Sequence, residues 1–131
     1  MLDYQQRYPQ GQARWQVIEN GYDEASFATA EAQSQRRALV PGKLTLLHSG
    51  IVYPWERDPT QLFQALGQLK REAPQLAQRL CLRFRAAVHD DLLRSLAEQC
   101  QITELIEIAP PIDYRQALAE MLDADALLVL Q

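Results

Sequence analysis

Paired carboxylates and a histidine–serine pair are the residues of this chain whose types could carry out catalysis. Asp90–Asp91 and Asp123–Asp125 each bring two carboxylates close together in the sequence, as a general acid and base pair requires. The first pair begins a helical pattern and the second precedes a strand, so helix capping and a loop account for them better. In His48–Ser49, neighbouring residues of a strand point to opposite faces, which excludes a nucleophile–base pair.

Sequence motifs for phosphate, acyl and metal chemistry are absent from the chain, which contains no GxGxxG, no P-loop and no GxSxG. Cys81 and Cys100 form no CxxC pair, and His48 and His89 are isolated, so no metal and no cofactor are expected. The two cysteines fall near the same end of the predicted sheet, where a disulfide is one alternative. Buried free thiols fit a reducing compartment better.

The composition is that of one folded globular domain. The 131 residues are 47% hydrophobic and 23% charged, which is enough for one buried core. The net charge of −4 argues against a nucleic-acid surface, which needs clustered Lys and Arg. There is no apolar run of about 18 residues to span a membrane. Since the N-terminal MLDYQQRYPQ does not resemble a signal peptide, a cytoplasmic protein is the simplest interpretation.

From Lys43 onward, short apolar strands alternate with helical patterns. The predicted strands are Leu44–Leu47, Leu82–Arg85, Leu105–Ile108 and Ala126–Leu130. The predicted helices begin at Asp58–Pro59, His89–Asp91 and Asp113, where capping or acidic residues precede apolar positions spaced three and four apart. Pro74 interrupts the first helix.

This alternation predicts an α/β fold with a Rossmann-like parallel sheet in strand order 3-2-1-4. The rival is order 4-3-2-1 with all helices on one face. The first order leaves one face of strands two and three without a helix. Arg83 and Arg85 on strand two, with Glu104 and Glu107 on strand three, fit cross-strand pairing on such a face. A plain strand-end charge is an equal interpretation of Glu104.

Residues 1–42 lie outside the alternation and are interpreted as an N-terminal arm. Residues 15–19 (WQVIE) have the pattern of a strand, and Asn20–Gly21 that of a tight turn. Residues 28–39, rich in Ala and Gln, predict a surface helix that ends before Pro41–Gly42.

Several modest motifs occur in a fixed order along the chain. They are V-I-x-N-G-x-D at Val17–Asp23, Phe27, His48–Gly50, L-F-x-A-L at Leu62–Leu66, Y-x-x-A-L at Tyr114–Leu118 and ADALLVLQ at Ala124–Gln131. In order and spacing they resemble the interdomain junction and the first half of the C-terminal nucleotide-sugar-binding domain of family 4 retaining GT-B glycosyltransferases. Residues 43–131 then correspond to part of that domain.

The resemblance implies where a donor diphosphate would lie. Gly50 ends strand one at the point where the strand order reverses, and a glycine there lets a diphosphate approach the backbone. The family usually has a lysine on the following loop, and its place falls on Arg57 in this chain. Arginine can bind phosphate in a bidentate manner, beside a helix N-terminus that favours anions. An ion pair of Arg57 with Glu56 or Asp58 is an equally good interpretation.

The resemblance also implies that the nucleotide base contacts Ala109, Pro110 and Ile112, after strand three. A plain turn before a capped helix is the alternative, which composition alone favours. One departure is Ala86–Val88, where the family commonly has a Gly-x-Gly turn.

The implied function is that of a glycosyltransferase fragment that contributes part of a nucleotide-diphospho-sugar donor site. The family's acidic donor-binding motif and its acceptor domain fall outside residues 1–131, so we expect no sugar transfer by this chain alone. The alternative is a non-enzymatic interaction module that acts through an exposed sheet edge. A receiver-like domain is disfavoured because strand one ends in His48–Gly50 rather than in acids. The apolar Ala126–Leu130 edge, or an exchanged arm, predicts a homodimer.

Overall fold

A computed structural model of the chain describes residues 6–7, 18–34 and 37–130. In chain order the elements are α1 (Glu24–Gln33), β1 (Leu44–Ser49), α2 (Thr60–Glu72), α3 (Pro74–Ala77), β2 (Leu80–Arg85), α4 (Asp90–Gln99), a short 3-10 helix (Thr103–Leu105), β3 (Ile106–Ala109), α5 (Tyr114–Asp123) and β4 (Ala126–Leu127). None of the helices in these ranges is long and apolar enough to cross a membrane.

The four strands form one parallel sheet in the order β3-β2-β1-β4. In register, Ser49 of β1 lies beside Arg85 of β2, and Arg85 lies beside Ala109 of β3. The carboxyl ends of these three strands therefore meet at one edge of the sheet. This arrangement confirms the predicted α/β, Rossmann-like fold and its strand order.

One face of the sheet carries the apolar core. Phe84 of β2 and Phe63 of α2 are fully buried, with ring centroids 5.9 Å apart, and Leu93 of α4 completes the same cluster. Burying side chains of this size contributes about 1.5–3 kcal/mol each. Gly67 lets α2 lie against α4, because a methyl group at that position would come within 2.9 Å of the Cys100 carbonyl oxygen.

On the opposite face lies α5, which contacts β1 and α1. Arg83 and Arg85 alternate with Leu82 and Phe84 along β2, so their side chains point away from the core. Both arginines hydrogen-bond to Glu120 of α5. The third helix of the alternation has thus crossed to the second face, which excludes the rival order with all helices on one face.

Helix starts follow the predicted capping residues. The Asp58 carboxylate accepts a hydrogen bond from the Thr60 amide at 2.9 Å, and the Asp113 carboxylate accepts one from the Gln116 amide at 3.0 Å. Pro74 begins a separate turn of helix, α3, after α2 ends. The predictions for Asp113 and Pro74 are confirmed, whereas α2 begins one residue later than predicted, with Pro59 at the N-cap position and Asp58 just before it.

The last two strands have different bounds from those predicted. Leu105 lies in the 3-10 helix, where its amide donates to the Ile102 carbonyl, so β3 begins at Ile106. The preceding Glu104 consequently does not face the arginines, and it pairs with Lys70 at 2.5 Å instead. β4 covers Ala126–Leu127 rather than Ala126–Leu130, because the chain then turns Leu130 into the core.

The helix of the arm has different bounds from those predicted. It spans Glu24–Gln33 instead of residues 28–39, because Asp23 caps it by accepting from the Ala25 amide. Of the predicted strand at residues 15–19, positions 15–17 lie outside the described residues, and Ile18 and Glu19 are not in a strand.

Both cysteines are free thiols. Cys81 lies on the α5 face, with its sulfur 3.6 Å from a Glu107 oxygen, whereas Cys100 packs against the core on the other face. The sheet itself separates them, so the disulfide alternative is wrong. Burial and the nearby Glu107 carboxylate both raise the pKa of the Cys81 thiol, which favours its neutral form.

Candidate functional site

Three loops meet at the carboxyl edge of the sheet. We call residues 50–59 the first loop, 86–89 the second loop and 110–113 the third loop. The Gly50 amide donates to the Arg85 carbonyl at 3.0 Å, and the Val52 amide donates to the Ala87 carbonyl at 3.1 Å. The Ala86 amide donates to the Ala109 carbonyl at 3.0 Å. Backbone hydrogen bonds therefore join the second loop to the first loop and to the end of β3.

Gly50 has the backbone conformation that the diphosphate hypothesis needs. Its φ is +137°, a region that L side chains rarely adopt, and a methyl group built there would meet nothing within 4 Å. Glycine is thus required by the backbone and not by crowding, and the space beside it is open. Its amide already donates to Arg85, so a ligand could approach this backbone but would not receive that hydrogen bond.

Arg57 is exposed at the end of the first loop. Its guanidinium carbon lies 5.5 Å from the centre of the Tyr53 ring, within range of a cation–π interaction. In the described part of the chain it forms no ion pair with Glu56 or Asp58, the alternative weighed from the sequence. The guanidinium therefore remains available to an anion.

The N-terminus of α2 is less suited to an anion than the sequence predicts. The Asp58 carboxylate accepts from the Thr60 hydroxyl at 2.6 Å and from the Thr60 amide. These hydrogen bonds lower the pKa of Asp58, so the carboxylate is ionised at neutral pH and occupies the positive end of the helix. A bound phosphate would have to depend on Arg57 instead.

The second loop has positive φ angles, which glycine adopts readily, at two positions that are not glycine. Ala86 has a φ of +56° and Val88 a φ of +69°, and a β-branched residue in that region is strained. These are the first and third positions of the turn, where the resembling family commonly has Gly-x-Gly.

A groove of about 210 Å³ lies between the second and third loops. It is lined by Ala86, Ala87, Val88, Asp90, Ala109, Pro110 and Pro111. Of the sequence-predicted site residues, the structure brings Ala109 and Pro110 into this groove. Ile112, Gly50 and Arg57 lie at the same edge of the sheet but do not line it.

A charged cluster lies behind the third loop, and we call Arg83, Arg85, Glu107 and Glu120 the arginine–glutamate cluster. Arg83 pairs with Glu107 at 2.9 Å and with Glu120 at 2.8 Å. Arg85 donates to both oxygens of Glu120, through Nε at 2.8 Å and through Nη2 at 2.6 Å. Its Nη1 donates to the Pro110 carbonyl at 2.6 Å, so the cluster fixes one wall of the groove.

The predicted cross-strand pairing is confirmed for Arg83 and Glu107, while the larger role of Glu120 was missed. Burial raises the pKa of Glu120, but the hydrogen bonds from Arg85 and Arg83 together outweigh it and leave this pKa below its ordinary value. The signal in the sequence was indirect. Once the third helix is placed on the sheet face that carries Arg83 and Arg85, one acidic residue of that helix is needed to pair with them, because buried charges require a partner.

His48 lies where the strand order reverses, but its contacts are structural. Its imidazole is buried, with Nδ1 3.1 Å from the Leu128 carbonyl oxygen and the ring centroid 5.9 Å from that of Phe84. Since the acceptor is a carbonyl, Nδ1 carries the proton. This bond holds the segment after β4 against β1.

A second depression, of about 430 Å³, lies at the opposite edge between α1 and the start of β4. Two of its three acidic residues, Asp123 and Asp125, already form hydrogen bonds within the fold. Asp123 accepts from the Ser34 hydroxyl at 2.6 Å, and Asp125 accepts from the Thr45 amide at 2.8 Å. They join α1 and β4 to the rest of the chain, and we do not assign a ligand to them.

Over the described ranges, no group of three or more His, Cys, Asp or Glu side chains is placed to hold a metal ion. Comparisons with protein-family models, with curated proteins and with solved structures find no significant match to this chain.

Proposed function

We propose that this chain contributes part of the donor site of a retaining GT-B glycosyltransferase, and that its carboxyl edge binds the nucleoside diphosphate of a nucleotide-sugar. The observation that carries this proposal is Gly50, whose φ of +137° and open surroundings place an approachable backbone where the strand order reverses. Arg57 would neutralise the diphosphate, and the loop at Ala109, Pro110 and Ile112 would contact the base.

Binding is expected to be weak. Arg57 is the only cationic residue of the first loop, and the carboxylates of Glu56 and Asp58 flank it. The N-terminus of α2 is occupied by Asp58. A single exposed arginine on a diphosphate is a charge-assisted contact of about 1.5 kcal/mol.

Calorimetric titration of the chain with GDP, UDP and inorganic pyrophosphate tests the proposal. Arg57→Gln should weaken binding of all three by about tenfold, the equivalent of that contact. Arg79→Gln is the matched control, because Arg79 is also exposed but precedes β2 at the opposite edge. Equal affinity of Arg57→Gln and the unchanged chain would contradict the proposal.

The proposal assigns to this chain one wall of a site that GT-B enzymes form between two domains. We therefore expect no sugar transfer when the chain is incubated alone with a nucleotide-sugar and acceptor sugars. Protein-dependent transfer in that assay would show that the proposal understates the activity.

A second candidate, an interaction module that forms a homodimer, is favoured by the outer strand. β4 is the edge strand, and Leu127 and the following Val129 are 57% and 71% exposed. Edge strands with exposed apolar residues tend to pair with another chain. Sedimentation at micromolar concentration should give a dimer that Leu127→Lys converts to a monomer. A 15.0 kDa monomer for the unchanged chain would contradict this candidate.

A further inference from the structure

The groove between the second and third loops is lined mainly by apolar side chains. We call its buried lining residues, Ala87 and Ala109, the floor, and its exposed ones, Val88, Pro110 and Pro111, the walls. Planar rings pack well between apolar walls of this kind.

The walls of the groove are held in place before any ligand arrives. Pro110 and Pro111 have fixed φ angles, and the Pro110 carbonyl accepts from Arg85 of the arginine–glutamate cluster. On the other side, the Ala86 amide is bonded to the Ala109 carbonyl, so the floor is continuous between two strands. A preformed slot avoids the cost of ordering loops on binding.

Asp90 is the one lining residue with an ionisable side chain; the other six are apolar. It is half-buried at the first position of α4, and no hydrogen-bond partner of its carboxylate occurs among the described residues. Asp91, its neighbour, is exposed and does not line the groove. An apolar slot with a single carboxylate would accept a ring that presents hydrogen-bond donors along one edge.

The Watson–Crick edges of the bases differ in what they offer a carboxylate. Guanine presents two adjacent donors, N1–H and N2–H₂, which match the two oxygens of a carboxylate. Adenine and cytosine present one donor beside a ring-nitrogen acceptor. Uracil presents one donor between two carbonyl oxygens, and these would repel the carboxylate.

We propose that this groove binds guanine, with Asp90 accepting hydrogen bonds from N1–H and N2–H₂. The inference rests on the proposed function for the presence of a nucleotide, and it adds the identity of the base. The charge distribution agrees with this assignment. The anionic Asp90 would accept hydrogen bonds from the base, and the cationic Arg57 would bind the anionic diphosphate.

The test compares guanosine with uridine and GDP with UDP, by titration of the whole chain monitored in its amide NMR spectrum. We expect the guanine compounds to bind about tenfold more tightly than the uracil compounds, with shifts at Val88 and Ala109. Asp90→Asn should abolish that preference, because an amide offers a single acceptor oxygen. Asp91→Asn is the matched control, since it removes the same charge from the start of the same helix, and it should keep the preference.

The outcomes separate the two proposals. Equal binding of GDP and UDP that still depends on Arg57 would overturn the guanine assignment and leave the diphosphate site standing. Binding of guanosine that depends on Asp90, with no gain from the diphosphate, would support the guanine site and overturn the role of Arg57. If none of the four compounds binds, both proposals are wrong. An unchanged melting temperature of Asp90→Asn shows that any loss reflects the groove and not the fold.

Discussion

The two faces of the sheet are held to their helices by different interactions. On one face, Phe84 packs against Phe63 and other apolar side chains from α2 and α4. On the other face, the same strand presents Arg83 and Arg85, which meet Glu120 of α5 and Glu107 of β3. One strand thus serves an apolar and an ionic interface through the alternation of its side chains.

The difference shows how stability and positioning are divided in this molecule. Apolar packing is favourable in many arrangements because it has no directional requirement. The arginine–glutamate cluster has several directional hydrogen bonds, and one of them reaches the Pro110 carbonyl. We infer that the apolar face supplies most of the stability, while the ionic face fixes where α5 and the third loop lie.

The largest expected effect comes from the apolar face. Phe84→Ala removes a fully buried ring and should lower the free energy of unfolding by about 3–5 kcal/mol, through lost transfer energy and the cavity left behind. Urea denaturation followed by circular dichroism measures it. Leu76→Ala is the control at an exposed position of α3, and a cost at Leu76 similar to that at Phe84 would contradict the placement of the core.

The next effect concerns the ionic face. Glu120→Gln leaves Arg83 and Arg85, each 12% exposed, without the carboxylate that they share. It should lower the free energy of unfolding by about 2–3 kcal/mol, because the buried guanidinium charges lose the partner that compensated for their desolvation. Glu98→Gln, at an exposed position of α4, is the matched control and should change little. Hydrogen exchange of the α5 amides should rise in Glu120→Gln and not in Glu98→Gln.

The same substitution has a pH signature. The pKa of Glu120 is lowered in the folded chain from its ordinary value of 4.5, so the unfolded state binds a proton first as the pH falls. Its contribution to stability is therefore complete above pH 4.5 and is lost as the pH falls through the lower folded pKa. The difference in stability between the unchanged chain and Glu120→Gln should shrink over that range. A constant difference would mean that the carboxylate charge of Glu120 is unimportant.

The sequence was sufficient for the parts of the fold that depend on local patterns. Strand order followed from the βα alternation and from the polar positions on β2, and Asp113 marked a helix start through its capping chemistry. The candidate site was harder to predict because it depends on contacts between loops. Asp90 has the pattern of an ordinary acid at a helix start, and only the third loop beside it makes it part of a groove.

The backbone strain of the second loop could not be predicted from the sequence pattern either. Nothing in Ala86–Val88 indicates positive φ angles, because alanine and valine normally avoid them. In the folded chain the Ala86 amide donates to the Ala109 carbonyl at the end of β3, and the Ala87 carbonyl accepts from the Val52 amide of the first loop. Predicting these φ angles would require knowing which residues of the fold lie beside Ala86–Val88.

Val88→Gly tests that strain and is expected to have a moderate effect of the opposite sign. Glycine is unstrained at the φ of +69° that Val88 adopts. The relief of strain in the folded state should exceed the entropic cost of a more flexible unfolded chain, for a net stabilisation of about 0.5–1 kcal/mol. Ala87→Gly is the control, because Ala87 is buried without a positive φ and should be destabilised. The two denaturation midpoints should therefore move in opposite directions, and parallel movement would contradict the assigned backbone.

The smallest expected effect sharpens the comparison between buried and exposed ion pairs. Lys70 and Glu104 approach to 2.5 Å, but their side chains are 37% and 49% exposed, so solvent screens the attraction and the pair holds two mobile side chains in place at an entropic cost. Lys70 also donates to the Gln101 carbonyl, which remains when Glu104 is changed. Glu104→Gln should cost less than about 0.5 kcal/mol, and the difference should vanish in molar salt, where charges at the surface are screened. The loss in Glu120→Gln should persist in the same salt, because its partners are largely removed from water. If the two substitutions respond alike to salt, the ionic face is solvated like the surface and does not fix α5 in the way inferred from its geometry.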